Sequence, residues 1–513
     1  MKSLLIVIIF STSLLAGEPQ ARYKISKETT YVLGPLDEDG YIDYAEALHK
    51  KLSQGVTTKN NANVLVWKVL GPRPEGGKMP QQFFQWMGIK EPPVQGDYFK
   101  SFYTYLKKRN LIGPGGMQKF WKQLDQASKR PWTGAKFPEL AGWIQDNQKP
   151  LDLLRKMNER PRYYSPVTPV AFRKPRAGLI SALLPAVQKC RALARALELR
   201  AMFYLGAGKP EEAWKDLLTC HRLGRLMTQG ATLIEALVGY ALSTIAVEGE
   251  MKLIQYGKLS SKQAMKHLDD LRKLPPIKPM EAIVEVGERF MFLDTVRLID
   301  QGGISAVTAL ILPRRAEKID PRIKPLMSRI NWSSALKNAN QWYDRLVVTL
   351  RGDPSKGRAY REKQLDKLEA RMKKLRKSLN DDKVVRSILA GQKKPEIALG
   401  EIIGDILLAE LLPALRKVQN ATDRTRQFDK VAQIAFALEA YRQDQKRYPE
   451  KLAKLTPKYL KKIPKDIFSE KELIYRAKKT SYLLYSVGVN GLDDKGRWWN
   501  DKPLGDDIRA RRD

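Results

Sequence analysis

Val431-Ala432-Gln433-Ile434-Ala435-Phe436-Ala437-Leu438-Glu439-Ala440-Tyr441 sets Val431, Ile434, Ala435, Leu438 and Tyr441 at helical spacing on one face. That helix has to stop before Tyr448-Pro449, because proline cannot continue it and restricts the residue ahead of it. Beyond it, the sequence predicts a short helix at Leu452–Leu455 and two strands, Glu472–Arg476 and Tyr482–Val487, around Lys478-Lys479-Thr480. Ser486-Val487-Gly488 then opens an Asp-rich loop, Asn490-Gly491-Leu492-Asp493-Asp494-Lys495-Gly496, closing at Asp506-Asp507-Ile508. Residues 421–513 therefore read as a small α+β module built from a helix, a hairpin and a long bend.

Outward from that module the chain is helical. From Ile180 to Leu274 the apolar residues recur with helical period, Ala192, Ala196, Leu199 and Phe203 sharing one face. Tyr204-Leu205-Gly206-Ala207-Gly208-Lys209-Pro210 followed by Glu211-Glu212-Ala213 resembles the middle of a tetratricopeptide repeat, but no second copy follows, so a single helical hairpin is expected. Leu365, Leu368, Met372, Leu375 and Leu379 trace a narrow stripe on a Lys/Arg-rich helix. Ile397–Leu415 is apolar and reaches Pro413; Glu401, Asp405 and Glu410 would each cost about 2.5–3.5 kcal/mol at a membrane centre, so an amphipathic core helix is expected there. The fold class is thus mainly α-helical, an irregular bundle with a tetratricopeptide-like hairpin, plus the terminal module. Its segments are 18–150, interrupted by Gly and Pro; 151–350, helical; 351–420, the basic helix and the amphipathic one; and 421–513.

Met1-Lys2-Ser3, an apolar run from Leu4 to Ala16 and then Gly17 have the layout of a secretory signal peptide over 1–17, too short to span a bilayer. Export to periplasm or medium is expected, with no transmembrane helix after its removal. Cys190 and Cys220 sit 18 and 12 residues from Gly208 on two arms of the hairpin, an axial offset of about 9 Å. That exceeds a disulfide's reach, and two free buried thiols are expected.

The 513 residues carry 92 Lys and Arg against 56 Asp and Glu, a net charge of +36, with 3 His and 2 Cys. So few His and Cys argue against a His/Cys metal enzyme or a disulfide scaffold. Residues 451–513 alone hold 16 basic and 9 acidic side chains. A solvated basic surface accounts for this, as does binding to anionic lipid, nucleic acid or an acidic envelope polymer. No helix-turn-helix, zinc-finger or RNP-like pattern supports specific nucleic-acid recognition. Nor is there a Gly-x-Ser-x-Gly elbow, a phosphate-binding Gly loop or a His-Glu-x-x-His pair.

Three weaker features stand beside these. Asp37-Glu38-Asp39-Gly40-Tyr41-Ile42-Asp43 with Glu46 imitates the later part of a calcium loop, yet its first ligand position is Pro35; acidic residues ahead of a helix also serve its N-terminus. Trp67, Trp86, Trp121, Trp132 and Trp143 suit either a carbohydrate platform or core corners, the commoner use. Glu139 and Asp146 flank Trp143, the carboxylate pair an envelope glycan hydrolase would need.

The succession Arg447-Tyr448-Pro449, Pro464-Lys465-Asp466, Tyr475, Tyr485-Ser486-Val487-Gly488, Asn490-Gly491 and Gly505-Asp506-Asp507-Ile508 resembles the soluble domain of the major pseudopilin of type II secretion systems, over roughly 425–510. The chain as a whole looks like large exported bacterial proteins with such a terminal module. The resemblance implies a last loop that holds calcium, with Asp493, Asp494, Asp506 and Asp507 as ligands and Ca2+ as the only cofactor. A true pseudopilin starts with its own membrane helix, which this internal module lacks, so filament assembly is not implied. The expectation is a non-enzymatic binding or structural protein of the bacterial envelope. Its basic face would meet a protein partner or an anionic envelope polymer, and its module could associate with secretion machinery. The alternatives are the glycan hydrolase and a binder of anionic lipid surfaces.

Overall fold

A computed structural model describes residues 21–512 except 22, 75, 114–115, 170–177, 183, 311–329, 354 and 380–393. The signal-peptide segment 1–17 lies outside the described residues, as do the side chains of Met372, Leu375, Leu379, Glu401, Asp405 and Glu410. The chain is mainly helical and closes on a three-stranded antiparallel sheet.

Short helices between Tyr44 and Arg155 fill the N-terminal part, separated by the Gly and Pro turns. Four longer ones follow: Pro185–Gly206, Pro210–Met227, Leu233–Tyr256 and Ser261–Arg272. The expected hairpin is the first pair, started in both helices by a proline whose missing N–H costs nothing in a first turn. Leu233–Tyr256 packs so closely on Pro210–Met227 that a Cβ on Gly224 would stand 2.7 Å from the Gly239 carbonyl oxygen, and only glycine fits there. Cys190 and Cys220 are free and buried, as expected. No helix of the described residues is long and apolar enough to cross a membrane.

Ile397–Leu415 is helical, as expected, but as the start of a longer single helix, Pro395–Gln445, which passes through Pro413 and through residue 420. Its length is about 75 Å. Leu415 and Val418 pack into one core and Phe428, Val431, Ile434 and Leu438 into another. Burial at about 1.5–3 kcal/mol per large side chain outweighs the roughly 3 kcal/mol that an interior proline costs.

The two cores are not sequence segments. The larger draws on residues between Ala62 and Tyr163, between Val187 and Leu271 and between Phe428 and Ala510; the other draws on Tyr23–Leu48, Val167, Leu179, Ala231–Tyr240, Ile277–Leu350, Leu365 and Leu415–Val418, and a small third cluster gathers around Trp67. Several charges enter the larger core in pairs, whereas Glu235 is buried on N–H and hydroxyl donors of Ala231 and Thr232. Arg200, with no exposed surface, donates two bonds to Asp216 (2.7 and 2.6 Å), and Arg155 adds a third at 2.6 Å.

The terminal module is as the sequence predicts, with one element added. Strands β1 (Ile474–Ala477) and β2 (Tyr482–Ser486) form the hairpin, and a third strand, β3 (Ile508–Arg512), pairs antiparallel with β2 from Tyr482↔Arg512 to Ser486↔Ile508. Tyr482, Leu484, Ile508 and Ala510 turn inward and share a core with Val431, Ile434 and Leu438 of the long helix. The alternation of a strand then sends Arg476, Leu483 and Arg509 to the other side of the sheet.

Candidate functional site

That outer side is a groove of about 670 Å3. Arg476, Lys478, Lys495, Arg497, Lys502, Arg509 and Arg512 line it, with Asp501 the sole carboxylate among its lining residues. Arg509 is held by Asp501, Arg512 reaches out of the groove to Glu439, and Arg497 lies 3.6 Å from Asp494. Arg476, Lys478, Lys495 and Lys502 have no carboxylate within ion-pair distance among the described residues. Arg476 instead donates to the Tyr485 hydroxyl at 3.4 Å. Four exposed cations of one sign in a concave site focus a positive potential outward.

The wall of the groove is the Asp-rich loop, folded back over β2. Gly488 opens it at φ +68, where a Cβ would stand 2.0 Å from the Asp506 carbonyl oxygen; no other residue fits. The four aspartates singled out by the sequence lie together, each engaged by a different donor. Asp493 accepts from the Tyr485 hydroxyl (3.0 Å) and the Lys495 N–H (2.8 Å). Asp494 accepts from the Asp506 N–H (2.8 Å) and the Asn490 amide (3.1 Å), which lower its pKa. Asp506 accepts from the Asn490 N–H (3.0 Å) and pairs with Arg424. Asp507, wholly buried, accepts from the Gly496 N–H at 2.7 Å; burial, with Asp494 and Asp493 adding repulsion, pushes its pKa up to about 6.

This donor set has the hard oxygens calcium prefers. As placed, however, the oxygens serve backbone and side-chain donors rather than one common point. Among the described residues no three acidic, His or Cys side chains converge as a metal group. The arrangement as it stands does not fit a resident ion, and its chemistry is that of a hydrogen-bonded clasp.

The other sequence features resolve into structure. Asp43 caps the helix Tyr44–Leu52 by accepting from the Glu46 N–H at 2.9 Å, and Asp37 accepts from the Asp39 and Tyr41 N–H groups. Trp67, Trp132 and Trp143 are core residues, Trp86 stacks on His49, and Trp121 is exposed. Asp146 is forked by Arg109 at 3.0 and 3.2 Å, Glu139 lies 3.9 Å from Lys119, and the Trp143 indole donates to the Lys100 carbonyl.

Cys220 and His221 diverge. The thiol faces the carbonyls of Ala194 and Leu242, and burial raises its pKa. His221 stands between Glu250 (2.8 Å) and Asp429 (3.1 Å), with Arg225 also on Asp429. Burial alone would lower the imidazole's pKa; the two carboxylates outweigh it and push it up to about 9. Doubly donating, His221 is a buried cation, and its hydrogen-bond partners among the described residues are the two carboxylates.

The groove itself was missed by sequence reasoning. Its cations come from the hairpin, the loop and β3, and only the basic excess of residues 451–513 hinted at it. No known protein family, curated protein or solved structure matches this chain.

Proposed function

We propose that this is an exported, non-enzymatic binding protein of the bacterial envelope, whose terminal module holds an anionic polymer in the groove between β1, β2 and the Asp-rich loop. The observation that carries the reading is the excess of cations there: Arg476, Lys478, Lys495 and Lys502 all face solvent without a carboxylate partner among the described residues. Exposed charges of this kind contribute little to stability and much to attraction of a polyanion. The resemblance to pseudopilin domains supports a docking role for the module, toward secretion machinery or another exported protein. The apolar contact between the long helix and the hairpin supports a compact module of that kind.

The test is binding of the full chain to dextran sulfate, with neutral dextran as control. Affinity is expected to fall steeply as salt rises, and to drop at least tenfold in Lys478→Glu/Lys502→Glu. Unchanged affinity in that variant would remove the reading. Calcium enters only through the resemblance: an ion on Asp493, Asp494, Asp506 and Asp507 would have to displace the N–H donors. Its test is a thermal melt in millimolar calcium, since a ligand of the folded state raises Tm by mass action. A melt identical to that in magnesium removes it.

A further inference from the structure

A second basic site lies beside the long helix, lined by its residues Asp423, Arg426 and Lys430. It is a cleft of about 470 Å3, within the range of small-molecule sites, where the helix Gly357–Leu379, the long helix and the segment Lys465–Glu470 meet. Its four carboxylates are already engaged. Asp423 is buried and takes both Arg358 (3.3 Å) and Arg361 (2.6 Å), one negative charge between two guanidinium groups. Asp466 is buried and accepts from Ser486 (2.7 Å), Ser469 (3.0 Å) and the Phe468 N–H (2.9 Å). Asp353 binds Ser355, and Glu470 takes the Arg358 N–H at 2.6 Å.

The cations are not balanced in the same way. Arg351 and Arg426 line the cleft with no carboxylate in reach among the described residues. Lys430 is spent on a neutral partner, the Lys465 carbonyl, at 2.8 Å. The Arg361 Nε is buried without an acceptor. Arg426 and Lys430 stand four residues apart on one helix, a like-charge spacing that weakens a helix rather than supporting it. Asp466 and Asp423 attract Lys430 from within the cleft, and a guest of opposite charge would balance the cations that remain.

We infer that this cleft binds a phosphoryl oxyanion, with Arg426, Arg351 and Lys430 as its ligands and the Arg361 Nε–H completing the set. The forked guanidinium matches phosphate oxygens two at a time, and the surplus of positive charge suits a dianion better than a single carboxylate. The inference does not depend on the groove of the terminal sheet, whose lining residues are different.

The experiment is calorimetric titration of the full chain with inorganic phosphate, at an ionic strength held constant with chloride. Parallel sedimentation uses vesicles of phosphatidylglycerol and of phosphatidylcholine. Saturable binding of one phosphate is expected, at least tenfold weaker in Arg426→Gln and in Arg351→Gln, and within twofold of the parent in Lys478→Glu/Lys502→Glu. Binding confined to phosphatidylglycerol vesicles and lost in Arg426→Gln supports the same chemistry with a lipid phosphate as its source. Arg351 is exposed, so its variant keeps the test open should Arg426→Gln fold poorly. No saturable signal beyond chloride in either arm, or an affinity equal to the parent's in both arginine variants, overturns the site. Loss of dextran sulfate binding with phosphate binding kept separates failure of the groove from failure of the cleft.

Discussion

Arg200 and Lys478 carry the same charge under opposite conditions. Arg200 has no exposed surface and gives its guanidinium to Asp216 and Asp152; Lys478 is exposed at the hairpin turn with no carboxylate beside it among the described residues. The pattern extends around each. In the helical body Arg155, Arg200 and His221 meet Asp216, Glu250 and Asp429, and burial makes every pairing obligatory. On the outer side of the terminal sheet positive charge is concentrated with little to balance it. Paired buried charge is architecture, whereas unpaired exposed charge is a surface waiting for a partner. The contrast can be attacked from either end.

The largest effect belongs to Asp216→Ala. It leaves the wholly buried Arg200 with Asp152 alone and Arg155 with Glu212 as its nearest carboxylate, and breaking such a cluster from one side costs about 3 kcal/mol. Urea unfolding followed by circular dichroism should show that loss; a change under 1 kcal/mol would mean the body does not depend on its inner pairs. His221 comes next. Its folded pKa of about 9 lies above the ordinary 6.5, so the folded state holds the proton more tightly. The resulting stabilisation is complete below about pH 6.5 and drains away as pH rises toward 9, roughly 3 kcal/mol in all. His221→Gln should flatten that slope in urea midpoints measured from pH 6 to 9.5. His267 works in the other direction: burial against Trp214 lowers its pKa to about 4, so its contribution fades as pH falls from about 6.5.

What the sequence could disclose follows the same division. The helix at Val431–Tyr441, the stop at Tyr448-Pro449, the hairpin and the Asp-rich bend are local patterns, and each is present, the first strand starting at Ile474 rather than Glu472 and the second ending at Ser486 rather than Val487. The third strand was missed because Ile508-Arg509-Ala510-Arg511-Arg512 is short and Arg-heavy; its one signal was the inward pair Ile508 and Ala510. Pro413 looked like an end because the two cores that carry the helix past it are assembled from distant segments. The charge clusters were beyond reach altogether: His221 and Asp429 are 208 residues apart, and nothing local in either announces the other. The aspartates of the loop were visible as a group, but their service to N–H donors depends on how the loop closes over β2.

A smaller loss is expected at the hinge between the two regimes. Gly488→Ala forces a Cβ into left-handed backbone and against the Asp506 carbonyl, at a cost of about 2 kcal/mol or more. Chemical denaturation monitored by the fluorescence of Trp498 and Trp499, which ride on this loop, reads it directly. A stability equal to the parent's would mean that the loop does not close on itself as described.

The smallest stability effect is the most telling one. Lys478→Glu/Lys502→Glu removes two cations that no carboxylate holds, and surface changes away from packed or paired groups stay within about 0.5 kcal/mol. Relief of like-charge crowding in the groove should tip the sign toward slight stabilisation at low salt, vanishing as added salt screens the charges. The same variant is expected to lose at least tenfold in affinity for dextran sulfate. Binding and stability would then separate at one pair of residues, which cannot happen at Arg200 and Asp216, where the charge is part of the core. Should the variant instead unfold as easily as Asp216→Ala, the groove's cations are holding the module together, and the distinction between its two kinds of charge fails.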